Sequence, residues 1–421
     1  MNELLAELAL RHGVPGAQLA LWRDGRLLTA ETGEEAAGSG RPVTAATAFP
    51  LGSLTKPFTA TLAGLLAADG DADLDEPLAE QLGELRACPE FTLRQVLSHT
   101  AGLAANTAEL LPPGTTRARW LAGHAAELAV HEPGTVFSYS NPGYLIAGRL
   151  VEEITGLDWA EAVHAMLLRP LGHDATAPVA LGHLVRPDSR PRPIPEQSVP
   201  PLEDPAAGLR ASARDLAVFG AAHLGLGPGA ALLDAATARS MREDVTEELA
   251  VGAHGLAGGW GAGWSRYGAW FGHDGTGDGA WSHLRANPST GTVVALTANG
   301  STGARLWESL LGRLGETGLE VGDDPRDTDG AEPVAAPPEC AGHYANGGWS
   351  CRVVAEDGGL LLSVAGAAPV RLVVGKDLSF RTPSGSGPRA ALPYLGRFLR
   401  DPATGDVDRV QITGRLSVRQ R

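Results

Sequence analysis

The sequence predicts an α+β protein. An antiparallel sheet is built from strands at both ends of residues 1–321, helices lie between them, and a small all-β unit follows at 339–421. Three observations carry this reading: an early hairpin signal, a long Ala- and Leu-rich middle of helical character, and strand patterns that return after residue 265.

The opening "MNELLAELALRHG" has the apolar spacing of an amphipathic helix. "GAQLALWRDGRLLTAETG" then sets two extended runs around Asp24-Gly25, a dipeptide that favours a tight hairpin turn. Helical patterns follow at Leu54 to Ala68, Leu93 to Ser98, Tyr144 to Thr155 and Ser212 to Leu224, separated by Pro-rich connections such as Arg186 to Pro201. "YGAWFGHDG" and "GAWSHLRANPSTGTVVALTANG" read as strands, the second folded at a turn near Asn287 to Gly291, and a further helix is expected from about Leu306. Residues 322–338, "GDDPRDTDGAEPVAAPP", are acidic, Pro-rich and aperiodic, as a linker is. Short runs punctuated by Gly, Pro and Asp fill 339–421 and predict a barrel or meander.

Composition excludes several function classes. With a formal net charge of −15 and no basic run, the chain repels a phosphate backbone, so no nucleic-acid partner is expected. Nothing approaches the ~20 continuous apolar residues of a membrane span, and the N-terminus has no basic leader, so a cytoplasmic protein with no membrane partner is expected. Cys88, Cys340 and Cys351 are too few and too far apart for a zinc site or a disulfide framework, and the histidines lack metal-ligand spacing. Neither metal nor cofactor is expected.

Lys56 is one of two lysines in 421 residues, and it stands three positions after Ser53 in "FPLGSLTKPFTA". On a helix that begins near Ser53 the two are neighbours, and Pro57 is tolerated because the first helical N–H groups lack partners. A desolvated amine loses its proton where a guanidinium does not, so this lysine can take the serine proton. "FSYSNPGY" adds Tyr139, a possible proton carrier, and Asn141, a carboxamide suited to a substrate amide. "FGHDGTGDG" adds a polar wall at His273 and a glycine-rich backbone through Gly275, where the Thr276 N–H and the Ser53 N–H would form an oxyanion hole. Taken singly, each segment has a structural reading: a capping serine, an Asn-Pro turn with a core tyrosine, and a surface hairpin.

These segments, with "FTLRQVLSHTAGL" (Phe91 to Leu103), "EPGTVFSYSNPGYLIAGRLVEEITG" (Glu132 to Gly156) and "AAGLRASARDLAVF" (Ala206 to Phe219), occur in an order that resembles the serine β-lactamase and penicillin-binding-protein superfamily. The likeness is to its class C β-lactamase-like branch and spans nearly all of residues 1–320. It implies a β-lactamase/transpeptidase-like sheet with a helical subdomain, followed by a lipocalin-like barrel. It implies Ser53 as acylated nucleophile, Lys56 as activating partner, Tyr139 as proton shuttle, Asn141 as amide-binding residue and His273 where many relatives carry the lysine of K-T-G.

A histidine, mostly neutral at pH 7, places weaker demand on an anionic leaving group than that lysine does. With no export signal, the pattern is most similar to penicillin-binding-protein-type thioesterases. This implies release of a nonribosomal peptide from a peptidyl carrier protein, often as a macrocycle, with a D-residue at the acyl site. The alternatives are a D-aminopeptidase or D-stereospecific esterase/amidase, and a catalytically inactive binding protein. An acidic carrier would need a local basic patch to dock on so acidic a chain. Trp349, or an arginine between Arg409 and Arg421, is the candidate to reach the cleft from the barrel.

Overall fold

The computed structural model describes residues 1–420 apart from 108–111, 113, 188, 248, 250, 252–255, 324–332, 336 and 384–392. Most of the expected linker therefore lies outside the described residues.

The first helix, α1 (Asn2–His12), ends at Gly13 in the left-handed conformation and leads into the hairpin β1 (Gly16–Arg23) and β2 (Arg26–Gly33). Asp24 and Gly25 both take positive φ, 51° and 72°, the twist that a two-residue hairpin needs. The remaining strands of the main sheet are β3 (Gly259–Trp260), β4 (Ser265–Tyr267), β5 (Trp270–Gly277), β6 (Ala280–Asn287) and β7 (Thr292–Ala298). They form a seven-stranded sheet in the order β2-β1-β7-β6-β5-β4-β3, with antiparallel pairing throughout. The N-terminal hairpin thus joins the last strand of the domain, Ala17 facing Ala298, and closes the sheet across the helical middle.

Both faces of this sheet are covered, which explains why β7 reads as a continuous apolar run. Val294 and Leu296 meet Leu5, Leu8, Leu306 and Trp307 of α1 and the helix Gly303–Gly315. Val293 and Ala295 meet Leu216 and Phe219 of the helix Ala213–Ala222. That second core continues through α2 (Thr55–Ala68), the helix Arg117–Leu128, which the sequence reading did not single out, and α3, taken here as Asn141–Thr155. Among the described residues, no helix is long and apolar enough to cross a membrane.

The C-terminal unit is a nine-stranded antiparallel sheet with its own core. Its two edge strands, Val370–Arg371 and Val373–Val374, are separated in sequence by Leu372 alone, so the sheet curls into a nearly closed barrel. Its final hairpin, β8 (Val407–Ile412) and β9 (Arg415–Arg419), turns at Thr413-Gly414 and meets the segment that carries Tyr139. Cys340 and Cys351 lie in the barrel core as free thiols.

Candidate active site

Ser53 is the middle residue of one 3-10 turn, Gly52–Leu54, that runs directly into α2. Gly52 has φ 52°, and a Cβ there would lie 2.0 Å from the Thr276 carbonyl oxygen. Gly275 makes the reciprocal approach, with a Cβ falling 1.8 Å from the Leu51 carbonyl oxygen. Two missing side chains therefore let β5 and the Ser53 turn touch backbone to backbone, and Thr276 comes beside Ser53. Behind them the Ser282 hydroxyl of β6 donates to the Leu51 carbonyl at 2.9 Å.

Lys56 is fully buried in the first turn of α2. Its Nζ lies 3.2 Å from Ser53 Oγ and donates to the Ala206 carbonyl at 2.9 Å. Burial first, and the Arg415 guanidinium second, hold its pKa well below the ordinary lysine value, with Glu203 opposing them. Such an amine can be neutral at pH 7, with a lone pair available to the serine hydroxyl.

Tyr139 is buried, its ring 5.1 Å from Lys56 Nζ. Burial pushes its phenol up to about 12, against the lowering effects of a hydrogen bond with Ser53 and of the Arg415 charge. It is therefore a proton donor at neutral pH, and the lysine is the better base of the pair. His99 stacks on the Tyr139 ring at 4.1 Å, and its Nδ1 accepts the Ser140 N–H at 3.0 Å. His99 lies in the segment Phe91 to Leu103, where spacing alone gives it no task. A left-handed φ of 60° and complete burial, neither visible in sequence, make it the support of Tyr139.

His273 lies inside β5 rather than at the end of a strand, because pairing with β6 continues through Gly277. The glycines that read as a loop are accommodated by close backbone packing. Next to it, the Asp274 carboxylate accepts from Arg285 Nη1 and Nη2 at 2.7 and 3.0 Å and from His283 Nδ1 at 2.7 Å. Arg285 is fully buried, lies 3.7 Å from the centre of the Tyr267 ring and also pairs with Asp323. These partners hold Asp274 well below the usual carboxylate range despite its burial.

Ser53, Tyr139, His273 and Thr276 line one cavity of about 550 Å³. Lys56, Asn141 and Gly275 are not on its wall. Asn141, the first residue of α3, donates from Nδ2 to Asn106 Oδ1 at 2.8 Å, an engagement that sequence spacing could not reveal.

The opposite wall comes from the barrel, through Tyr394, Leu395, Thr413 and Arg415. Trp349 packs in the barrel core instead and is not part of the wall. The Tyr139 N–H donates to the Gly414 carbonyl at 2.8 Å, and Ser138 Oγ accepts from Leu416 N–H and Asn346 Nδ2 at 3.2 and 3.0 Å. The segment leading to Tyr139 is thus hydrogen-bonded to the barrel's last hairpin. Arg415 sits 5.1 Å from the centre of the Tyr139 ring, and among the described residues its Nε has no hydrogen-bond partner. A guanidinium from the barrel thus supplies a cation to the cavity that the neutral His273 also lines.

A serine at a helix start, a buried lysine one turn on and a facing tyrosine, framed by this antiparallel sheet, are the arrangement of a serine hydrolase with the β-lactamase/transpeptidase fold. The chain belongs to the Beta-lactamase family, which it matches over residues 1–318. It is 34% identical over 341 residues to "Penicillin-binding protein 4" of Amycolatopsis lactamdurans, covering 74% of this chain and 89% of the relative. The crystal structure of SurE is similar over 100% of this chain and 98% of its own, barrel included, with a TM-score of 0.84 and 36% identity. A D-amino acid amidase from Ochrobactrum anthropi SV3 shares the fold at TM-score 0.59 and 24% identity, over 71% of this chain and 89% of its own.

Proposed function

We propose that this protein releases a peptide from a carrier-protein thioester and closes it into a macrocycle, with a D-residue at the acyl carbonyl. The observation that carries this reading is the barrel wall: Arg415 and its hairpin enclose the Ser53 hydroxyl in a cavity of peptide dimensions. SurE, which is similar across the whole chain, has also been solved with D-Leu, in keeping with a D-residue at the acyl site.

In this reading Lys56 takes the Ser53 proton as Oγ attacks the thioester carbonyl; the C–O bond forms, the C–S bond breaks, and the thiol departs with a proton relayed through Tyr139. The N–H groups of Ser53 and Thr276 hold the oxyanion. The peptide's own amine then attacks the ester, at an effective concentration above that of any outside amine, while the barrel restricts water. A peptide with a free amine and a C-terminal D-residue, activated as a pantetheine-like thioester, tests this. The expected product is the cyclic peptide, about 18 Da lighter than the linear acid by loss of one water. Linear acid alone, with release of single N-terminal D-residues from simple amides, would favour a D-aminopeptidase. Because the barrel hairpin also holds the segment that carries Tyr139, removing the barrel would damage the site itself, and the intact chain is the form to assay.

A further inference from the structure

His273 Nδ1 lies 2.6 Å from the main-chain oxygen of Asp274. A carbonyl only accepts, so Nδ1 carries the hydrogen, and in the neutral ring Nε2 is left as a bare acceptor. The ring is neutral because burial, the largest cause, lowers its pKa to about 3. The arrangement is rigid, since Asp274 is gripped by buried Arg285 and His283. His273 is itself 3% exposed, its Nε2 has no partner among the described residues, and the residue lines the cavity that holds Ser53 and Tyr139. Nε2 is thus a buried, unpartnered acceptor on a residue of the cavity wall, and such an acceptor calls for a donor.

We propose that His273 Nε2 accepts an N–H of the attacking amine and so aims that amine's lone pair at the Ser53 ester. The inference rests on Ser53 being acylated, as proposed above. A neutral primary amine brings two hydrogens. One is held by Nε2 and remains on the amide nitrogen of the product. The other is relayed through the Tyr139 hydroxyl to Ser53 Oγ as the C–N bond forms and the C–O ester bond breaks. His273 neither gains nor loses a proton; it selects a nucleophile with an N–H to spare, and the Arg415 guanidinium, which only donates, cannot take that place.

The test compares the wild type with His273→Gln, whose amide oxygen retains an acceptor near Nε2, and His273→Lys, which offers only donors; His273→Met serves if the lysine variant does not fold. Each is given the thioester peptide, and the ratio of cyclic product to linear acid is measured by mass. Since this ratio is set after acylation, slower acylation in a variant cancels from it. The glutamine variant is expected to stay within about threefold of wild type, and the lysine or methionine variant to fall by about three- to tenfold, the worth of one neutral hydrogen bond. Equal ratios in all variants, or an equal fall in the glutamine variant, would overturn the role of His273 while leaving the acyl-enzyme intact. Absence of a covalent adduct on wild-type Ser53 would overturn both readings.

Discussion

Gly275→Ala adds a single methyl group where β5 touches the turn carrying Ser53, and it would also crowd Ser282 Oγ at 2.6 Å. The new Cβ would lie 1.8 Å from the Leu51 carbonyl oxygen and 2.8 Å from the Leu54 N, in the turn that carries Ser53. Carbon and oxygen at non-bonded contact sit about 3.3 Å apart, so strand and turn must separate by roughly 1.5 Å. A misplacement near 1 Å costs on the order of 100-fold in rate where reacting groups are prealigned, so acylation should slow by at least about that factor. Overpacking should also destabilise the fold by about 1–3 kcal/mol. The control is Gly277→Ala on the same face of the strand, where the nearest atom is the Pro50 Cβ at 3.3 Å. The assay is the rate of adduct formation by intact mass with an activated ester, beside thermal melts of both variants. Acylation of Gly275→Ala within a few-fold of Gly277→Ala, at unchanged melting temperature, would refute the claim that these two backbones are in contact.

Ser53→Ala should abolish adduct formation with a fluorophosphonate; labelling that persists would place the nucleophile elsewhere. Lys56→Arg should be nearly as damaging as Lys56→Ala, because a guanidinium retains the charge but cannot serve as base, and substantial kcat in the arginine variant would make the lysine a fixed charge only. Burial raises the Asp204 carboxyl to about 6, against the opposing charges of Arg117 and Arg210. The folded state therefore holds this proton more tightly than the unfolded one, so its contribution to stability falls as pH rises from about 4 through about 6. Asp204→Asn should melt higher than wild type at about pH 8 and lose that advantage at about pH 4; a pH-independent difference would contradict the shift.

Residue order alone was enough for the hairpin at Asp24-Gly25, the helices around Ser53 and Tyr139, and the strand-rich C-terminal unit, because apolar period and turn chemistry are local properties. The pairing of Ser53 with Lys56 was legible for the same reason: three positions on a helix start are adjacent whatever surrounds them. What surrounds them was not legible. The lowered pKa of Lys56 requires the burial of its amine beside Ala206 and the arrival of Arg415, which is hundreds of positions away in the chain. The placement of His99 beneath Tyr139, the tautomer of His273 and the turning of Asn141 toward Asn106 depend on contacts between segments that no period encodes. The same holds for the barrel, whose β-rich character could be read from its turns, whereas its docking required the Gly414 carbonyl to meet the Tyr139 N–H. Sequence by itself determined which residues could do the chemistry; tertiary packing decided their protonation and the shape of the cavity, because desolvation and charge act through space rather than along the chain.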